Sequence, residues 1–498
     1  MVIVNLRYRF LTPQPCRLLL YLTKESQMRT GNTRLAPTGR QLCTLVSLLG
    51  LMAFGMPAAQ ASTVFDTPDA TYKGEITAQG PKGAAITGGS EVQLQGHDFK
   101  PGQRITLMRG NTVLNAYAPY VADEKGSFQA SLAVPADAAV GLQPILVAVS
   151  NPSAAAVLPL KVSPQVPVFG TEAYQQASAK LGPGLYQAAV SAKTGAVFVT
   201  SAVGRPPVKA SQLLKLNPDT LAIEAQVTPA AAPGSDDGSL FAVYGVGVDD
   251  QHGNVWVTNT RQDSVAVYRQ ADLSLVKQFK PGTVPHARDL VVDPALDRAF
   301  ASASGTPVVA VFDTSSLAEP TAITIKSTVW GSQFSVASLA LDAQAHKLYA
   351  VSLSTEEAAV IDARAGTVER VIPIEGVKMA MGVAVDPKTN RLFVAAQGSD
   401  NLAIIDLASG KTLQRVSTGA GPLNVAFDPA RRLAYVSNRV SGTVSVVDPD
   451  GKLNANLAGG TFPNHAVADG KGNVFSVNKA KGPDDPEGDR ITRFTPLK

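Results

Sequence analysis

Two stretches near the C-terminal end of this chain, GVAVDPKTNRLFVAAQGSDNLAIIDLASGK (Gly382 to Lys411) and NVAFDPARRLAYVSNRVSGTVSVVDPDGK (Asn424 to Lys452), are copies of one pattern. Each reads as an apolar run, a turn containing Asp, a second run, a turn of Gly, Asn or Ser, and a third run ending in Val-Asp or Ile-Asp. A unit of three or four short strands leaves its sheet faces uncovered, so such units are stable only when stacked against one another around a closed ring. This recurrence constrains the fold more tightly than any single residue does.

The repeat length follows from the Asp that closes the first run: Asp249, Asp293, Asp342, Asp386, Asp428 and Asp469 are separated by 44, 49, 44, 42 and 41 residues. Upstream, AAVSAKTGAVFVTS (Ala188 to Ser201) has the same shape, with Ser191 in place of the Asp, 58 residues before Asp249. Seven units predict an all-β chain whose main body is a seven-bladed β-propeller. The last unit runs out of chain after DRITRF (Asp489 to Phe494), so PVFGTEAYQ (Pro167 to Gln175) is expected to supply its missing outer strand and leave no unpaired edge.

At 498 residues the chain exceeds one average domain. LCTLVSLLGLMAFGM (Leu42 to Met56) is apolar, follows Arg29, Arg34 and Arg40, and precedes Ala59-Gln60-Ala61. A basic flank, a short greasy core and an A-x-A exit describe a secretory leader over residues 1–61, cleaved before Ser62, with Met28 as the expected true start. The expected location is therefore periplasmic, and the mature chain is expected to carry no transmembrane segment. Both cysteines, Cys16 and Cys43, fall in the leader, which removes disulfides and thiolate chemistry from the mature chain. Taking the leader's seven basic residues and one acid from totals of 44 and 40 leaves a net charge of −2, so polyanion binding would have to rest on a local patch.

Residues 62–165 are written differently. EVQLQGHDFKPGQRITLMRG (Glu91 to Gly110) and GSFQASLAVPADAAVGLQPILVAVS (Gly126 to Ser150) alternate apolar and polar residues around Gly, Asp and Pro-Gly turns, which predicts a small antiparallel sandwich. The G-x-x-F-x-P-G-x-x-I stretch Gly96 to Ile105 and the D-x-x-G-x-F stretch Asp123 to Phe128 resemble bacterial immunoglobulin-like modules of exported proteins. A spacer, or a surface that docks an envelope protein partner, is the expected role. The ring is assigned to 166–498.

Within the ring, the second runs read VWVTN (Val255 to Asn259), LFVAA (Leu392 to Ala396), AYVSN (Ala434 to Asn438) and VFSVN (Val474 to Asn478). This wording resembles the YVTN-repeat family of seven-bladed propellers, a WD40-like repeat architecture, and in particular the periplasmic YncE-like proteins. The resemblance implies a secreted binding protein, and single-stranded DNA is the ligand associated with a YncE-like member. Because propellers host enzymes, lectins and scaffolds alike, function has to be argued from the site.

In a propeller the link into each first strand and the turn between strands two and three open onto one face. That face is assigned Arg205, Lys209, Arg261, Lys280, His286, Arg288, Lys378, Arg439, His465, Lys479 and Lys481. The opposite face receives the recurrent Asp249, Asp250, Asp293, Asp342, Asp386 and Asp428, whose first role is to accept backbone hydrogen bonds in turns. Tyr186, Tyr244, Trp330, Phe334 and Phe462 accompany the cations, and cations interleaved with flat rings suit an anionic, π-bearing ligand. The candidate ligand-binding residues at the channel mouth are Arg205, Arg261, His286, Arg288, Trp330, Lys378, Arg439 and His465. Trp256, in register with Phe393, Tyr435 and Phe475, is assigned to packing between blades.

No G-x-S-x-G elbow, phosphate loop or C-x-x-C-H motif is present in the sequence, so no catalytic residue and no cofactor is expected from motifs. Two mouth histidines without a clustered third ligand do not make a metal site. A propeller lactonase, hydrolase or lyase that draws dispersed His and Arg residues from different blades is the alternative, with His286, Arg288 and His465 as its candidates. The expected partner is single-stranded nucleic acid or another anion, and the expected state is a monomer.

Overall fold

The structure, a computed structural model, describes residues 66–204 and 206–497. The leader, with its cysteines, Met28 and the cleavage point before Ser62, lies outside the described residues, and so does Arg205.

Seven four-stranded antiparallel sheets follow one another from Tyr174 to Pro496. Their first strands are Leu185–Val190, Val243–Asp249, Ala287–Asp293, Val336–Asp342, Ala380–Asp386, Pro422–Asp428 and Pro463–Ala468. Each of these touches the first strand of the next sheet, and the seventh touches the first, so the ring closes about an axial channel. The sheets are numbered here as blades one to seven.

Blade seven is completed as the repeat count requires, by a strand from before blade one. Tyr174–Lys180 pairs antiparallel with Arg490–Pro496, Ala177 opposite Arg493 and Lys180 opposite Arg490. The strand starts later than the Pro167 boundary. The preceding residues instead run along the outer strand of blade six, where Phe169 exchanges both backbone hydrogen bonds with Asn456.

The second strands do not alternate. Val197–Ala202 and Asn254–Asn259 are buried along their whole length, because each sheet is covered on both faces by neighbouring blades. The third residue of Asn254–Asn259, Trp256, packs with Phe279 and Phe312 between blades two and three. Phe198, Phe300, Tyr349, Phe393, Tyr435 and Phe475 hold the matching register, each in the core of a different blade junction. One aromatic wedge per junction is therefore the unit that the repeat carries.

The recurrent Asp residues lie on the far side, but they form no exposed acidic rim. Asp249, Asp293, Asp386 and Asp428 are buried. Four residues after the Asp of each turn, Asp297, His346, Asn390 and Arg432 adopt left-handed backbone with φ of 52 to 58°. From there His346 of blade four reaches Asp293 of blade three at 2.7 Å, and Arg432 of blade six clasps both oxygens of Asp386 of blade five. Asp293 and Asp386 thus pin one blade to the next, and the Asp residues assigned to the opposite face do not make it an exposed acidic surface.

Before the ring, two small antiparallel sheets share one core. One is built on Glu91–His97 and the other on Gly141–Ser150 and Ala154–Val162. Glu91–His97 alternates as its sequence predicts, with Val92, Leu94 and Gly96 inward. A Cβ on Gly96 would stand 2.0 Å from the Phe128 ring, so glycine there lets the ring cover the strand. This part meets the ring at Lys161, whose ammonium lies 2.7 Å from Asp400 and donates to the Gln397 carbonyl in blade five.

Candidate functional site

The channel has a volume of about 270 Å³ and is lined mainly by Ala, Val, Gly and Leu of the first strands. Polar side chains interrupt that lining at one level, and the backbone explains why. Every first strand slips register against its second strand near its start, for example between Leu185 and Ala188 and between Ala287 and Leu290. Such a slip leaves a backbone N–H without its sheet partner. The third residue of the preceding blade takes it up. Gln187 accepts from Val246 N at 3.2 Å, Asp289 from Leu339 N at 3.0 Å, Asn424 from Ala466 N at 2.8 Å, and His465 Nδ1 from Ala188 N at 3.4 Å.

These four side chains form a belt of clasps between blades. His465 belongs to it, which gives that histidine a structural duty that its sequence position did not announce. Because Nδ1 accepts, the proton sits on Nε2. Burial pushes the imidazole well below its ordinary pKa, Asp289 opposes the shift and Arg288 adds to it. In blade two the corresponding residue is Gly245, where a Cβ would lie 2.3 Å from the Arg288 carbonyl oxygen. Glycine there lets blades two and three approach closely enough to seat Arg288.

Above the belt, the cations gather on one arc of the mouth. Tyr186 and Tyr244 meet edge to face with ring centres 4.5 Å apart. The Lys479 ammonium lies 4.0 Å from the centre of the Tyr186 ring. The Arg261 guanidinium lies 5.8 Å from the centre of the Tyr244 ring and donates from Nε to its hydroxyl at 3.3 Å. Arg439 donates to Asn464 Oδ1 at 2.6 Å while Asn464 Nδ2 donates to the Tyr186 carbonyl, and the same guanidinium lies 5.0 Å from the Phe462 ring centre. Arg288 Nε is buried without a hydrogen-bond partner among the described residues.

Among the described residues, none of Arg261, Arg288, Arg439 and Lys479 has a carboxylate within 4.0 Å. The nearby acids are occupied with backbone: Asp263 accepts from His286 N at 2.6 Å, and Asp489 from Gly184 N at 2.9 Å and Ala480 N at 3.2 Å. Enclosure first, and like-charge repulsion second, show in the protonation equilibria. Lys479 falls to about 7, first through enclosure, then through Arg439 and Arg261, with Asp489 opposing. Enclosure lowers Arg439 too, Tyr186 opposes this, and Arg288 adds to it. His286 is lowered by enclosure and by Arg261 and Arg288, although its ring edge is exposed and Asp263 pulls the other way.

Of the candidates read from sequence, the structure brings Arg261, His286, Arg288, Arg439 and His465 to this mouth. It adds Lys479 with Tyr186, Tyr244 and Phe462 as its partners. Lys378 instead pairs with Glu356 at the edge of blade five, so its charge is spent locally. Phe334, expected among the mouth rings, is fully buried in the junction of blades three and four. Trp330 is 98% exposed and has no aromatic or cation–π partner among the described residues. Its turn is held from below by buried Glu357, which accepts from Ser327 Oγ at 2.7 Å and Thr328 N at 2.8 Å. Gln187, Asp289 and Asn424 were missed as clasps. The signal available was a polar residue three positions into a first strand that is otherwise apolar.

Comparison with known proteins agrees with this architecture. Residues 380–472, from blade five into blade seven, match the family described as "Lactonase, 7-bladed beta-propeller". Over 313 residues the chain is 24% identical to the uncharacterized YncE protein of Salmonella typhimurium, covering 60% of this chain and 84% of that one. The solved structure of virginiamycin B lyase from Staphylococcus aureus superposes with a TM-score of 0.51 at 12% identity, over 65% of this chain and all of that one. Hydrazine synthase of Kuenenia stuttgartiensis gives 0.50 at 16% identity, over 60% and 94%. At these identities the solved structures show the fold alone. The chain is a seven-bladed β-propeller with extra small sheets before the ring, distantly similar in sequence to YncE.

Proposed function

We infer that this is an exported, periplasmic YncE-like binding protein whose propeller mouth captures an anionic, π-bearing ligand, with single-stranded nucleic acid as the named ligand. The observation that carries the reading is the gathering of Arg288, Arg261 over Tyr244, Lys479 over Tyr186 and Arg439 over Phe462 at one mouth, with no carboxylate partner among the described residues. Holding like charges together costs free energy in the unliganded protein. An incoming anion relieves that cost, and a base can stack on a half-buried ring such as Tyr186 or Phe462, at about 1–3 kcal/mol per stacked base. The small sheets at residues 75–162 act in this reading as an immunoglobulin-like spacer or docking module.

The test is binding of a short single-stranded oligonucleotide as salt is raised. Neutralising about three phosphates predicts a slope near −2 in log affinity against log salt. Arg288→Gln and Arg439→Gln each reduce both the affinity and the slope. An affinity that is flat from low to physiological salt refutes the phosphate contact.

A second reading, a lactonase or lyase, rests on His286 beside Arg288 at the same mouth and on the partial match to the lactonase family. Virginiamycin B lyase shares the fold, and a histidine-to-alanine variant of it is described as catalytically inactive. Turnover of a lactone panel that is lost in His286→Ala supports this reading. An inert purified protein refutes it.

A further inference from the structure

The cations of the mouth come from four blades around one end of the channel and lie close enough to perturb one another's protonation. Arg439 comes from blade six, Lys479 from blade seven, Arg261 from blade two and Arg288 from blade three, and the Tyr186–Tyr244 pair of blades one and two stands between them. A groove that tracks a continuous strand would space its cations along the backbone repeat. Here, five consecutive blades enclose one end of a closed channel, and Asp289, Asn424 and His465 line that channel below. A polymer passing through would have to run along the axis, past side chains already engaged in holding blades together.

The charge count points the same way. A phosphodiester brings one negative charge and two free oxygens. A phosphomonoester brings a charge of about −1.5 to −2 at pH 7 and three acceptor oxygens. Arg288 has a buried, unpartnered Nε, and Arg439 holds its place with one hydrogen bond from Nη1, leaving donors of its fork uncommitted. Planar forks of this kind match the edges of a tetrahedral oxyanion.

We propose that the mouth recognises a phosphomonoester dianion presented end-on, with the attached group packing against the half-buried Tyr186 ring. This rests on the anion-binding reading above and narrows it. Lys479, its pKa lowered to about 7 by enclosure and then by Arg439 and Arg261, takes up proton when the dianion enters. A terminal phosphate on a nucleic-acid strand and a free mononucleotide carry the same chemistry.

The experiment is calorimetric titration of the mature protein at physiological salt with matched probes. These are a nucleoside 5′-monophosphate, its methyl phosphodiester, and one short single-stranded oligonucleotide with and without a terminal phosphate. The monophosphate is expected to bind about tenfold or more tightly than the diester, with the terminal phosphate giving a similar gain on the oligonucleotide. Arg288→Gln, checked for folding by its thermal transition, is expected to abolish the difference.

If the phosphorylated oligonucleotide binds more tightly than the mononucleotide, the source is a strand end. If the two bind equally, it is the free nucleotide. Either result upholds the dianion site. Equal binding of monoester and diester, both weakened by salt, overturns this proposal and leaves the anion site standing. If no probe binds, both are overturned.

Discussion

Lys479 should stabilise the unliganded protein when its charge is removed, which is the reverse of what a typical buried salt-bridge residue does. Its ammonium is half-buried over Tyr186, and enclosure together with Arg439 and Arg261 lowers its pKa from 10.5 to about 7. At about 1.4 kcal/mol per pH unit, that drop corresponds to an upper bound of roughly 5 kcal/mol. Solvent reaching the ammonium reduces it to about 1–2 kcal/mol. Lys479→Met keeps the aliphatic contact with the ring but forfeits about 0.5–1 kcal/mol of cation–π attraction. The net gain is about 1 kcal/mol, or a rise of about 2–4 °C in melting temperature at pH 7.

The sign with pH follows from proton counting. Between pH 7 and 10.5 the unfolded chain holds the Lys479 proton more fully than the folded one, so wild-type stability rises with pH across this window. The advantage of the variant is therefore full below pH 7 and closes as pH approaches 10.5. Thermal unfolding of both proteins at several pH values between these limits measures it. A variant that melts lower at pH 7, or a gap that does not change with pH, refutes the claim that the mouth holds the Lys479 charge at a cost from enclosure and neighbouring cations. The same variant should bind oligonucleotide more weakly, separating stability from function.

Arg432→Ala leaves the buried Asp386 carboxylate without its guanidinium and should cost about 3–5 kcal/mol, read as a lowered denaturant midpoint. Phe300→Ala empties the wedge between blades three and four and should cost about 3–5 kcal/mol by the same assay. Gly245→Ala forces a Cβ to 2.3 Å from the Arg288 carbonyl, so it should destabilise the protein and weaken oligonucleotide binding together. Removing residues 166–180 strips the outer strand from blade seven and should give a chain that aggregates, measured by light scattering.

The ring was legible because each blade rewrites the same constraints. An aromatic at one register of the second strand fills each junction, as Trp256 and Tyr435 do, and an Asp, or Ser191 in blade one, starts each turn after the first strand. Repetition lets such a signal be read from one chain. The strand donated by Tyr174–Lys180 was legible for a related reason, since the last unit lacked a partner. The small sheets were readable from strict alternation, because one face of Glu91–His97 meets solvent.

The site was only half legible because nothing in it repeats. Arg261, Arg288 and Arg439 could be placed on the correct face from their positions in the unit, but Lys378 holds an equivalent position and is consumed by Glu356. Pairing of that kind depends on side chains from separate turns. Phe334 and Tyr244 both precede or begin a first strand, yet one closes a junction core and the other lies beside Tyr186 at the mouth. The inter-blade clasps of Gln187, Asp289, Asn424 and His465 depend on a register slip that has no letter of its own in the sequence. Asp293 and Asp386 show the same limit, since their partners, His346 and Arg432, come from the following blade.

The central claim is that cations at one end of the axial channel, unpaired among the described residues, form a single oxyanion site. Anomalous diffraction from crystals soaked in selenate tests it most directly. The account predicts one dominant peak within hydrogen-bonding distance of Arg288, Arg439 or Lys479 above the Tyr186–Tyr244 pair. Peaks scattered over the outer surface, with none at that mouth, would contradict it.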